Sequence, residues 1–146
     1  YAEPGHWPAS PLLPLRTAGR HPADHGDGAA IEGVDTAKAD IILRKGRDLN
    51  IDSYSAFCAA DNETKTGLAG YLRERGITDV WVCGLALDYC VSFTAIDAAR
   101  EGFDTHVITD ASAAIDANGS LEKAEAAWRL ACIDVCIAED VLEPEY

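Results

Sequence analysis

An α/β fold, a parallel sheet with helices on both faces, is what this sequence predicts. Short apolar runs of strand type alternate with segments of helical periodicity from Ile31 onward, without internal repeat. The run Val80, Trp81, Val82, Cys83 is apolar at every position, as a strand covered on both sides is. Strands alternating with helices imply parallel neighbours joined by crossovers, with any ligand outside the carboxyl ends of the strands.

The elements follow in order. Residues 39–45, with Ile41, Ile42 and Leu43, read as a first strand, and 62–75 as a helix that carries Leu68, Tyr71 and Leu72 on one face and stops at Gly76. Residues 79–83 form the next strand, which Gly84 breaks. Beyond Asp88, Val91, Thr94, Ala95 and Ala98 recur at helical spacing, and Gly102 sits where a C-terminal cap belongs. Residues 105–109 are a third strand. A helix over 120–131 places Leu121, Ala124, Trp128 and Ala131 on one side, and 133–138 is the last strand. The first 28 residues differ, with five of the six prolines, three of the four histidines and no sustained apolar period. They are expected to be separate in character from a single domain over 29–146.

A length of 146 residues suits one domain with a real core. With 48% hydrophobic and 25% charged residues the chain reads as globular, and its net charge of −13 argues against nucleic acid and anionic membrane surfaces as partners. No apolar run reaches membrane-spanning length and no basic-then-apolar leader is present, which makes the cytoplasm the default compartment. A small molecule is the expected partner, and association with further copies of the chain stays open. The chain begins at Tyr1 rather than Met, so a fragment or a processed start is expected.

Five cysteines are an odd number and show no zinc-knuckle spacing. Cys83, Cys132 and Cys136 read as small core residues, and Cys58 could go either way. Cys90 falls in the first turn of a helix at the carboxyl end of a strand, where free backbone N–H groups and the helix dipole favour a thiolate, the nucleophilic form of the side chain. Asp88 reads as the cap of that helix. Lys45 and Asp110 also lie just past strand ends, Asp110 as a turn residue. His106 reads as a strand residue, and Glu122, Glu125, Glu139, Glu143 and Glu145 as solvated surface.

Two separated segments carry a family resemblance. Arg44-Lys45-Gly46 with Ile51-Asp52-Ser53-Tyr54-Ser55-Ala56-Phe57, and Gly84-Leu85-Ala86-Leu87-Asp88-Tyr89-Cys90-Val91 with Thr94-Ala95-Ile96-Asp97-Ala98, resemble the nicotinamidases of the isochorismatase-like cysteine hydrolases. Val107-Ile108-Thr109-Asp110 fits as well, and the resemblance covers roughly residues 28 to 140. It implies a three-layer αβα, Rossmann-like parallel sheet, N-terminally incomplete.

The resemblance also implies roles. Cys90 would attack the amide carbon of nicotinamide, and Lys45 would favour its thiolate and orient the catalytic acid. The N–H groups of Ala86 and Cys90 would form the oxyanion hole, with a cis peptide between Leu85 and Ala86. Tyr54 and Leu85 would border the pyridine. A divalent metal (zinc, or else iron or manganese) would sit on histidines of the N-terminal third. Pro4-Gly5-His6 and Asp24-His25 with Gly28-Ala29 resemble its ligand segments, which makes His6 and His25 the candidates; His21 has no matching position. Residues 7–22 do not fit the family's pattern and are expected to be scrambled. The catalytic Asp belongs to an Asp-x-Gln-x-Asp-Phe-type segment, and no Asp of this chain stands in such a context. Two other readings remain: an amidohydrolase of the same superfamily for carbamoyl or ureido substrates, and a truncated remnant without activity.

Overall fold

Three parallel strands lie side by side in chain order in a computed structural model, which describes residues 37–142. The 1–28 region, with His6, His21 and His25, lies outside the described residues, as do Glu143 and Glu145. The strands are β1 (Asp79–Leu85), β2 (Asp104–Ala113) and β3 (Asp134–Cys136). Val82, Val107 and Val135 stand in register across them. A short helix α1 (Leu68–Glu74) precedes the sheet. A π-helical turn (Leu87–Val91) and helix α2 (Ser92–Arg100) connect β1 to β2, helix α3 (Ser120–Leu130) connects β2 to β3, and α4 (Ala138–Leu142) follows. The parallel α/β class is as the alternation implies. No helix among the described residues is long and apolar enough to cross a membrane.

The core lies between the sheet and α2 and α3. Val91, Ala95 and Ile96 meet Val107 of β2, Ala124 and Trp128 of α3, and Ile133. Trp128 is fully buried and donates its indole N–H to Ser92 Oγ at 2.9 Å, so the one polar atom of the ring is satisfied. A second cluster joins Phe57, Ala98 and Phe103 to Leu68 and Leu72 of α1 and Val80 of β1.

Several sequence expectations are corrected here. Residues 39–45 form no strand: Ile42 is 63% exposed, and apolar composition makes a strand only where a neighbour completes the ladder. The helix expected over 62–75 starts at Leu68, because Asp61 accepts the N–H groups of Glu63 and Thr64 in a local turn and Gly67 adopts φ 91°. Gly84 does not break β1. At φ 122° it takes a bulge between Val82 and Gly84, and the strand runs on to Leu85. Strand β2 is longer than 105–109 and contains Asp110, which accepts the N–H of Ala138 at 2.8 Å and so caps α4 instead of closing a turn. The final strand is shorter than 133–138 because α4 begins at Ala138.

Strand β1 is not buried on both faces. Side chains alternate across a strand; Val80 and Val82 join the core, while Trp81, Cys83 and Leu85 are exposed on the other face, Leu85 by 72%. Cys83 is therefore exposed and not a core residue; Cys132, past the end of α3, is exposed as well, and Cys136 is half-buried. His106 stacks on Trp81 on that face, with ring centroids 4.7 Å apart, and pairs with Asp134 at 3.5 Å.

The helices end alike. Gly76 and Gly102 stand at left-handed φ after α1 and α2, as read from the sequence, and the next residues, Ile77 and Phe103, donate back to Leu72 and Ala98 at 3.1 Å. After α3 the same position is Cys132, at φ 55°, with Ile133 N–H donating to Trp128 O at 2.9 Å. A side chain at left-handed φ is strained where glycine is not. Cys132→Gly is expected to raise stability by about 0.5–1 kcal/mol, read as an increase in the thermal midpoint; an unchanged or lower midpoint would contradict this reading of the cap.

Candidate active site

The site is built at the junction between β1 and α2. The Leu85–Ala86 peptide is cis, and Ala86 is extended at φ −93°, ψ 146°. Its carbonyl accepts the N–H groups of Tyr89 and Val91, both at 3.1 Å, which folds residues 87–91 into the wide π turn. The sequence reading placed Cys90 in the first turn of an α-helix; it stands in this π turn, just ahead of α2, and is half-buried. Ala86 precedes the turn and Cys90 lies within it.

Lys45 reaches the sulfur from a segment 45 residues away. Its Nζ lies 3.4 Å from Cys90 Sγ and donates to the carbonyl of Ser53 at 2.8 Å. The segment 52–57 is fixed in turn. Thr94 Oγ1 on α2 accepts the N–H of Ala56 at 3.0 Å, and Thr66 Oγ1 donates to the carbonyl of Ala56 at 2.6 Å. Tyr54 stacks on Phe93 with centroids 5.3 Å apart and stands 6.1 Å from Tyr89. A cysteine sulfur, an ammonium and an aromatic surface are thereby collected at one strand end. Leu85 is also at that strand end, its side chain open to solvent.

Asp88 is buried but does not cap the helix that Cys90 opens. Its carboxylate accepts Ser120 Oγ at 2.6 Å and the N–H groups of Asp116 and Ile115 at 2.8 and 3.0 Å. It therefore staples the π turn to the loop before α3. Burial alone would raise its pKa, but the hydrogen bonds from Ser120, Ile115 and Asp116 outweigh it and hold the group below the ordinary 3.8.

The other thiols differ. Cys58 is buried with its S–H donating to Asp97 Oδ2 at 3.2 Å. Burial first, and then that bond and the charge of Asp97, push it up to about 11, so it stays a thiol near neutrality. Among the described residues no three His, Cys, Asp or Glu side chains gather so as to hold a metal ion. The two candidate ligands, His6 and His25, fall outside the described residues. A shallow depression lined by Asp79, Thr105, His106, Cys132 and Asp134 lies at the opposite, amino-terminal end of the strands.

The sequence reading missed Ser53, Phe93 and Thr94 as members of this arrangement. Thr94 had a signal: it lies four residues after Cys90, on the same helical face.

Residues 17–140 match the model of the isochorismatase domain family. The chain is 49% identical over 118 residues to the nicotinamidase of Acinetobacter baylyi, covering 81% of this chain and 50% of that one. Among solved structures, PnC1 from L. infantum in complex with nicotinate superposes with a TM-score of 0.70 at 37% identity, covering 75% of this chain and 54% of that one. The pyrazinamidase of Pyrococcus horikoshii in complex with zinc gives 0.61 at 30% identity, covering 72% and 55%. The chain spans about half the length of the curated relatives it matches.

Proposed function

Since this chain belongs to the isochorismatase family, we propose that it is an amidohydrolase that converts nicotinamide to nicotinate and ammonia through a thioester on Cys90. The observation that carries this is the Lys45 ammonium 3.4 Å from the Cys90 sulfur. The ammonium is a donor aimed at that sulfur, and sulfur is the one strong nucleophile at this strand end among the described residues. The aromatic surface of Tyr54 and Phe93 beside it suits a flat heteroaromatic ring. Likeness to the nicotinamidase of Acinetobacter baylyi and to a structure in complex with nicotinate favours a pyridine carboxamide over carbamoyl or ureido substrates.

In this proposal the thiolate attacks the carboxamide carbon, and the carbonyl electrons move onto oxygen. The N–H groups of Ala86 and Cys90 are the donors for that oxyanion, fixed by the turn before reaction begins. Collapse breaks the C–N bond; the nitrogen takes a proton from solvent water and leaves as ammonia, and the water that later attacks the thioester returns one to solvent. Water then attacks the thioester carbon, the C–S bond breaks, and nicotinate leaves with the sulfur restored. Among the described residues no carboxyl is bonded to Lys45 or Cys90, so none is given the proton transfer. A divalent metal on His6 and His25, zinc by preference, belongs to the same proposal as a holder of the pyridine nitrogen. The described residues offer it no donor set. Nicotinate feeds pyridine nucleotide synthesis, so the proposed setting is NAD salvage in the cytoplasm.

The test reads the sulfur directly. Nicotinaldehyde, an aldehyde counterpart of the substrate, should protect Cys90 from iodoacetamide while exposed Cys83 still labels, with sites resolved by peptide mass spectrometry. Lys45→Met should slow Cys90 labelling at pH 7, because it removes the donor 3.4 Å from the sulfur. Equal labelling with and without the aldehyde would remove the pyridine substrate from the reading.

A further inference from the structure

The geometry points to Thr94 as a positioning residue that holds the Lys45 ammonium against the Cys90 sulfur by bolting the 52–57 segment to α2. This rests on the reading of Cys90 and Lys45 given above.

Lys45 is an exposed side chain with four rotatable bonds, and nothing in its own segment would keep it at one place. It is held by the carbonyl of Ser53, 2.8 Å from Nζ. Ser53 belongs to no helix or strand, so its carbonyl is only as fixed as the segment that carries it. That segment is hydrogen-bonded to the nucleophile's own helix by Ala56 N–H to Thr94 Oγ1 at 3.0 Å, and the residue just beyond it, Cys58, donates to Asp97 of the same helix three residues farther from the sulfur. Thr94 follows Cys90 by four residues, so both project from one side of the same turn-and-helix unit. The hydroxyl thereby fixes the distance between the ammonium's support and the sulfur within a single rigid element. The stack of Tyr54 on Phe93 adds contact without setting the register along α2, since stacked rings can slide at small cost. Thr66 binds the same peptide from the other side, at the carbonyl of Ala56, and ties it toward α1, so it cannot replace the tie to α2.

The experiment is the pH profile of Cys90 alkylation by iodoacetamide in the full chain, read by peptide mass spectrometry for the unaltered protein and for Thr94→Val, Thr94→Ser and Lys45→Met. Valine keeps the branched shape and loses the acceptor, whereas serine keeps the acceptor. Thr94→Val is expected to move the profile to higher pH and slow labelling at pH 7 about fivefold, part of the way to Lys45→Met. Thr94→Ser should follow the unaltered protein, and Cys83 should label equally in all four. Buried Cys58 is the folding control.

A Thr94→Val profile that coincides with the unaltered one while Lys45→Met shifts it would overturn the positioning role alone. A Lys45→Met profile that does not move would overturn the Lys45 reading itself, and this inference with it. Labelling of Cys58 in Thr94→Val would also overturn it, because the hydroxyl would then be holding the fold and not the site.

Discussion

For the proposed reaction, in a protein that also supplies the family's Asp segment, Cys90→Ala is expected to abolish release of ammonia from nicotinamide, a loss of about four orders of magnitude or more, whereas the 146 residues alone are expected to turn over weakly or not at all. Without the sulfur no thioester forms, and an amide nitrogen is a poor leaving group for direct attack by water. Cys90→Ser should fall almost as far, since a hydroxyl beside Lys45 is a far weaker source of an anion than a thiol is. The measurement is a coupled ammonia assay at saturating nicotinamide, with nicotinate quantified in parallel. Residual release from Cys90→Ala near the unaltered rate would exclude the covalent route and leave the Lys45–Cys90 contact without its proposed purpose.

The second large effect concerns Asp88. Removing its carboxylate in Asp88→Ala leaves a serine hydroxyl and two backbone N–H groups without their acceptor in a buried place. Orphaned buried donors cost about 1–3 kcal/mol each before relaxation, so a total near 3 kcal/mol is expected, or roughly 10 °C in the thermal midpoint. The same carboxylate sets an acid limit. Its pKa is lower folded than unfolded, so its contribution is complete above the ordinary 3.8 and is lost as pH falls through the folded value. Denaturant melts from pH 6 downward should show stability falling below about pH 4 in the unaltered protein and a flatter curve in Asp88→Asn. Equal slopes would show that other carboxylates carry the acid sensitivity.

Much of this was legible because local signals and tertiary needs coincided. Gly76 and Gly102 announce helix ends, and each is used in that way. Cys90 was legible as a strand-to-helix residue because Val80 to Val82 and the spacing of Val91, Ala95 and Ala98 point to the two elements independently. What stayed hidden depends on contacts distant in sequence. Ile41 and Ile42 carry strand composition, yet composition does not supply a pairing neighbour. The exposure of Cys83 follows from which face of β1 the helices cover, and an all-apolar run erases that information. Cys132 in a left-handed cap breaks the glycine rule that served for the other two helices. Asp88 looked like a local cap because its partners, 27 to 32 residues downstream, cannot be inferred from spacing.

The unit that presents Cys90 is also the principal wall of the hydrophobic interior. Val91, Ala95, Ile96 and Ala98 are all buried, Ala95 and Ala98 completely, so a larger side chain at either would have to displace packed neighbours. Chemistry and folding therefore draw on the same dozen letters. Random drift along this stretch would first show as protein that fails to accumulate. Tyr54 is freer to change, because it is half-buried and belongs to neither apolar cluster, whereas its neighbour Phe57 is part of the second one.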